Sequence, residues 1–344
     1  MIGRIIRDER VKLRKPMEAK VIGKFSMALL GLGAWMLAST PAKAQTYPSR
    51  PILVICPFTP GSAVDLVVRL IGPGMAEQLK TSIVVENRLG AAGMIGTTAV
   101  AKAPADGYTL LYSSPSHYIN QSLYKSSMTY DPVKDFRPVA RISNTPLIMV
   151  MAQSAPVNTL AELIAYVRAH PGKLNFSSAG SGGVTHLPAA LLASMASLEI
   201  VHIPYKNGGE ALTDTLRGEV LFTFVAVSTA LPHIKKGTLK GIGVAGASRS
   251  LTLPDVPTIA ESGLPGYQFS AWNGMFVRTG TPQDITTKLE SALLRAAAAP
   301  EVTQKLLNAG LEAEPLNTRA FTERIQLDMP LWAKAVEAGN IKPE

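Results

Sequence analysis

Short runs of continuous apolar residues alternate along this chain with longer stretches in which apolar positions return every three to four residues. The short runs predict strands at Ile52–Phe58, Ile83–Glu86, Thr109–Tyr112, Leu147–Met151, Leu174–Ser177, Ile200–Pro204, Val220–Val227, Leu239–Ala245 and Ala271–Val277. Most are β-branched and uninterrupted, as strands covered on both faces must be. The periodic stretches predict helices at Ala63–Leu79, Thr159–His170, Leu187–Ala196, Glu210–Arg217 and Ile285–Ala299. Thr159 followed by Glu162 reads as a capping box, and Pro171-Gly172 as a stop. Strands alternating with helices over short connections predict an α/β fold of doubly wound, mostly parallel sheets flanked by helices.

In such sheets ligands bind on loops at the carboxyl ends of strands. Three of these loops combine glycine or serine with a helix start: Phe58–Asp65, Tyr112–Tyr118 and Ser177–His186. Glycine lets backbone N–H groups approach a ligand, serine adds a hydroxyl, and the helix start adds partial positive charge. Together they make an anion site that needs no Lys or Arg. Ser62 and Ser181 are expected to face each other across a cleft and hold one carboxylate between them.

The first residues alter the reading of charge. A Lys- and Arg-rich stretch, the apolar run Phe25–Ala38 and Ala42-Lys43-Ala44 predict an export signal over residues 1–44, cut before Gln45. The apolar run is too short for a membrane span, which needs about 20 residues. A start at Met17 would leave a more ordinary basic region. The chain carries +9, but residues 1–44 hold nine Lys/Arg and three Asp/Glu, so the remainder is +3. That modest excess excludes a nucleic-acid partner. The single cysteine, Cys56, lies within an apolar run and reads as a buried small hydrophobe.

Enzyme signatures fail on inspection. Gly241–Gly246 has the G-x-G-x-x-G spacing, but Pro254 and Pro257 follow where a crossover helix would have to run. Gly180-Ser181-Gly182 is one residue short of a nucleophile elbow. The histidines lack metal-ligand spacing, and His186 reads as a helix-start residue. No nucleophile, base and orienting group fall together, so no catalytic residue, metal or cofactor is expected.

Several segments, in order, resemble the Bug family of extracytoplasmic receptors associated with tripartite tricarboxylate transporters. They are Tyr47-Pro48-Ser49-Arg50-Pro51, Pro57-Phe58-Thr59-Pro60-Gly61-Ser62 with Asp65, Val85-Glu86-Asn87-Arg88, Gly93-Met94-Ile95-Gly96 and Pro104–Leu111. Tyr130–Val139, Pro171–Leu174, Pro204-Tyr205-Lys206, Leu253–Thr258 and Trp272-Asn273-Gly274 continue the pattern. The resemblance implies a two-domain, type II periplasmic-binding-protein-like fold with a ligand cleft between the domains. Domain I is expected at 47–143 and 248–344, and domain II at 147–243. Asn317–Gly339 is expected to form one helix, bent at Pro330, lying back on domain I. The implied ligand is a small carboxylic acid, either a di- or tricarboxylate or an aromatic acid. The implied partners are membrane transporter subunits, with the receptor itself a periplasmic monomer. A receptor feeding a sensor is the alternative. By motif, the contact residues are Phe58, Pro60, Gly61, Ser62 and Asp65 on one domain, and the serine-bearing loop Tyr112–Tyr118 adds Ser114 and Ser116. Ser178, Gly180, Ser181, Gly182, His186, Tyr205 and Val225 face them from the other. Val225-Ala226 stands where the family often has an acidic residue, which argues against ligands that carry an ammonium group.

Overall fold

The computed structural model describes residues 46–269, 271–339 and 341, so the expected signal and its cleavage site lie outside the described residues. β1 (Ile52–Cys56), β2 (Ile83–Asn87) and β3 (Thr109–Ser113) form the parallel half of a six-stranded sheet. Helices α1 (Ala63–Leu79) and α2 (Met94–Lys102) connect them, and α3 (Ser116–Leu123) leads on to β4 (Phe136–Asn144). Two residues later the chain enters a second, five-stranded sheet at β5 (Leu147–Ala152). That sheet continues through α4 (Leu160–Ala169), β6 (Asn175–Ser178), α5 (Leu187–Met195), β7 (Val201–Pro204), α6 (Gly208–Arg217), β8 (Phe222–Ala226), α7 (Val227–Lys235) and β9 (Leu239–Val244). The chain then returns to the first sheet through β10 (Trp272–Arg278), α8 (Gln283–Ala297), α9 (Pro300–Asn308), β11 (Glu312–Leu316) and α10 (Thr318–Ala338). The strand orders are β11-β4-β10-β3-β1-β2 and β7-β6-β8-β5-β9.

The sheets are mixed rather than mostly parallel. β10 is antiparallel to both of its neighbours, β3 and β4, and β5 is antiparallel to β8 and β9. The cause is the double crossing. β4 runs out of the first sheet into β5, and the chain comes back from β9 to β10, so outgoing and returning strands run in opposite directions. Local apolar pattern cannot register this, because strands buried on both faces look alike in either direction.

Helix boundaries follow local chemistry. Thr159 Oγ1 accepts from Glu162 N at 3.2 Å, and Asn158 N donates to Glu162 Oε2 at 2.7 Å, so the expected cap is in place on α4. Two strands, β4 and β11, fall outside the apolar reading. β4 carries Arg137, Pro138 and Arg141. Pro138 sits at a register irregularity opposite Phe276, where a missing N–H is tolerated. Arg141, only 3% exposed, is neutralised by Glu314 on the neighbouring strand β11.

Side chains divide by strand alternation. Ile52, Val54 and Cys56 pack under α1, α8 and α9, while Ile55 faces a larger core with Leu111, Trp272, Phe276 and Trp332. In the second sheet Leu147, Met149 and Met151 join that larger core, and Ile148 and Val150 pack under α6 and α7. Helix α10 continues through Pro330 and packs on β4 and α3 as expected, but also on α5 beside the second sheet. There the C-cap Gly339 lies against Ala190. Cys56 is fully buried, and burial pushes its thiol up to about 11.

Candidate functional site

A cleft of about 870 Å³ opens between loops that follow β1, β2 and β3 of one sheet and β6 and β7 of the other. The first sheet contributes Pro57–Thr59, Leu89–Met94 and the face of α3 bearing Ser116, Asn120 and Leu123. The second contributes residues 179–185 and Lys206. These are carboxyl ends of strands, where backbone N–H groups of the following turns point outward and a ligand can meet them.

Of the residues expected to touch ligand, Phe58, Ser116, Gly180, Ser181 and Gly182 line the cleft. The others stand behind it or beside it. Ser62 is the N-cap of α1, its hydroxyl accepting from Asp65 N at 3.4 Å, and it is not among the residues that line the cleft opposite Ser181. Pro60 and Gly61 are exposed on the same turn. Asp65 is 2% exposed and fully engaged: it accepts from Gly61 N at 2.9 Å, from Arg69 Nε at 3.0 Å and from Asn87 Nδ2 at 2.8 Å. Burial alone would raise its carboxyl, but the bonds from Arg69, Asn87 and Gly61 outweigh burial and hold it below the usual carboxylate range. Asp65 therefore ties the loop after β1 to the end of β2 (Asn87 Nδ2 also donates to Phe58 O at 2.9 Å). Ser114 bonds Ser116 hydroxyl to hydroxyl at 2.7 Å.

On the second sheet, Ser178 is buried and donates to Gly180 O at 2.9 Å, with His202 Nε2 at 2.7 Å from the same hydroxyl. His186 accepts from Gly182 N at 3.0 Å through Nδ1 and stacks on His202 with ring centres 3.6 Å apart. Burial, reinforced by the neighbouring His202, pushes His186 down to about 3, so the ring is neutral and serves as an acceptor that shapes the loop. Tyr205 donates from its hydroxyl to Asp214 Oδ2 at 2.8 Å. Val225 is the clearest departure. It points away from the cleft into the layer under α6 and α7, packed with Ile148 and Leu212. The alternation that sends Phe222 and Phe224 to the central core sends Val225 to the other face. An acidic residue at Val225 would therefore face that layer and not the cleft, while Ala226, of the opposite parity, packs toward the central core.

Two lining elements had escaped the list of contacts. One is the turn at residues 90–93, where Gly90, Ala91, Ala92 and Gly93 have φ of 113°, 47°, 52° and 86°. A left-handed alanine costs about 1–2 kcal/mol, so two in succession must be held by their surroundings; Asn120 Nδ2 donates to Ala92 O at 2.9 Å. Its glycine spacing was visible, but nothing in the sequence marks two alanines as left-handed. The other is Lys206, visible within Pro204-Tyr205-Lys206 but not distinguished there from an ordinary surface lysine. No helix among the described residues is long and apolar enough to cross a membrane, and no group of three or more His, Cys, Asp or Glu among them could hold a metal ion.

A sequence profile described as the tripartite tricarboxylate transporter family receptor, TctC, matches residues 67–341. The chain belongs to this family. It is 34% identical to the protein BugT of Bordetella pertussis over 326 residues, 94% of this chain and 97% of BugT. Among solved structures it is similar to R. palustris Rpa4515 with adipate, at 32% identity and a TM-score of 0.75 over 87% of this chain and all of that one. MatC from Rhodopseudomonas palustris with bound malate gives 32% identity and a TM-score of 0.71 over 84% of this chain and all of MatC. TctC and Bug proteins are solute-binding receptors and not enzymes, with the two-domain α/β fold that the motifs implied.

In this TctC receptor the tightest point of the cleft loop is Gly182, with φ of 71° and no room for a side chain: a Cβ there would overlap Leu123 on the opposite wall. Gly182→Val should weaken ligand by about a hundredfold, about 2.7 kcal/mol, since it fills the space, while costing about 1–2 kcal/mol of folding stability for the left-handed backbone and about 1–3 kcal/mol more for pushing Leu123 aside. Calorimetric titration alongside urea unfolding separates the two effects. Retained affinity would mean that the loop does not contact ligand.

Proposed function

We propose that this receptor captures a small carboxylic acid lacking an ammonium group in the cleft between its two sheets. It acts in the periplasm and passes the acid to the membrane subunits of a tripartite transporter. One observation carries the reading: among the described residues the cleft lining holds a lysine, Lys206, and no Asp or Glu, while residues 179–185 and 90–93 offer neutral glycine-rich backbone. Such walls attract an anion and give an ammonium group no carboxylate to pair with. The adipate on Rpa4515 and the malate on MatC are acids of this class, and the family description supports a transport role. The strand crossings beside residues 144–147 support a division into a discontinuous domain at 47–143 and 248–344 and a second at 147–243, with the cleft between them.

Thermal unfolding of the purified protein against a panel of adipate, malate, hexanoate, benzoate, glutamate and the amides of these acids tests the reading. Simple acids at a hundred times Kd should add about 2.7 kcal/mol of stability, and the amides and glutamate much less. The gain should be equal at pH 6 and pH 8, because His117 and His186, each held down to about 3 chiefly by burial, stay neutral throughout. Stabilisation by the amides as strong as by the acids would sink the proposal.

A further inference from the structure

Lys206 is held between fixed neighbours and has no partner among the described residues. Its neighbours are pinned on both sides: Tyr205 N donates to Ser178 O at 2.9 Å, and Asn207 caps α6 by accepting from Glu210 N at 3.0 Å. The acids that follow it in sequence are already engaged. Glu210 accepts from Asn207 Nδ2 at 2.8 Å, and Asp214 accepts from Tyr205 at 2.8 Å and from Arg217 at 3.4 Å. Lys206 itself forms no ion pair among the described residues, and it lines the cleft. Its backbone is thus fixed against the 178–180 loop, while its ammonium is at the disposal of whatever enters.

We propose that Lys206 selects acids with a second carboxylate. This rests on the carboxylate reading above and names the class within it: a dicarboxylate, aliphatic or hydroxylated. The neutral donors of the glycine-rich loops satisfy one carboxylate by hydrogen bonding. A diacid brings a second negative charge into the same cleft, between apolar surfaces such as Phe58, Leu89, Met94 and Val184. Backbone dipoles alone leave that charge poorly compensated, and an ammonium carried on this held stretch of backbone compensates it. A monoacid of the same length has its one carboxylate on the glycine-rich loops, so Lys206 gives it only the long-range attraction it gives any anion in the cleft, without a direct ion pair. Lys206 is exposed, so its replacement leaves the core intact.

Calorimetric titrations of wild type, Lys206→Met and Lys206→Arg with two matched pairs, adipate against hexanoate and malate against 3-hydroxybutyrate, decide the matter. In wild type the better diacid should bind about tenfold or more tighter than its monoacid. Lys206→Met should remove that advantage by weakening the diacid alone, and Lys206→Arg should keep most of it. Equal weakening of both members of a pair would place Lys206 on the shared carboxylate and overturn the proposal. An unchanged diacid affinity in Lys206→Met, or a monoacid binding as tightly as its diacid in wild type, would overturn it too. Should wild type bind none of the acids in the wider panel, the carboxylate reading itself falls, an outcome distinct from each of these.

Discussion

Acidification from pH 6.5 toward pH 4 should remove about 1.4 kcal/mol of folding stability per pH unit for each of two buried histidines, His117 and His186. They are 2% and 4% exposed, and burial is the main reason each is pushed down to about 3. The His117 ring stands among Tyr118, Tyr130, Phe136 and Phe276, with Nε2 3.3 Å from Pro132 O and Nδ1 without a partner among the described residues. The His186 ring already uses Nδ1 as an acceptor for Gly182 N. Because both folded-state values lie below the unfolded one near 6.5, the unfolded chain takes up a proton in this window and the native state does not. Stability is therefore fully present above pH 6.5 and falls as the pH drops, until the folded value is reached. His117→Phe fills the same aromatic space and removes one of the two titrating groups. Urea unfolding at pH 7, 6 and 5 should show about half the wild-type slope in that variant. Identical slopes in the two proteins would mean that His117 takes up its proton in the native state.

Asp65→Asn should destabilise the fold by about 2–3 kcal/mol at neutral pH and weaken ligand with it. The carboxylate accepts on both oxygens, Oδ1 from Asn87 Nδ2 and Arg69 Nε, Oδ2 from Gly61 N and Arg69 Nε. An amide of the same shape turns one acceptor into a donor, so a donor must face a donor in a buried place. The loop after β1 then loses its tie to β2, and Pro57–Thr59, which line the cleft, lose their frame. The pH dependence carries the opposite cause from that of the histidines. The Asp65 carboxyl is held below its usual range, so its contribution is present above the unfolded value near 3.9 and is lost as the pH falls through the folded value. Wild type and Asp65→Asn should therefore converge in stability only at strongly acid pH. Convergence already at pH 6 would show that the carboxylate is not ionised in the native state.

Much of the architecture was legible along the chain because it is set by neighbours in sequence. Helix α1 begins after Ser62 and ends at Leu79, as its apolar spacing required, and the Thr159–Glu162 cap places α4 without reference to anything distant. The glycine-rich character of residues 180–183 marked one wall of the cleft, and at Gly182 a side chain would meet Leu123. Family membership was equally visible, because motifs spread over the whole chain record which residues recur and not how they meet. What tertiary structure decided were properties that depend on facing. β4 and β11 are strands through their pairing with β10 and with each other, where Arg141 meets Glu314 across the sheet, and no local pattern foretells that pairing. Val225 and the cleft were separated by the parity of a single strand, and Ser62 and Asp65 were drawn into a helix cap and a loop tie instead of the cleft. The left-handed Ala91 and Ala92 depend on an amide reaching from α3, and the weight of Lys206 depends on Asn207 and Tyr205 having claimed the acids that follow it. The sequence determined which residues were available for each role, through local conformation and hydrophobic pattern. Burial, pairing and direction are relations between distant segments, and only the folded chain assigns them.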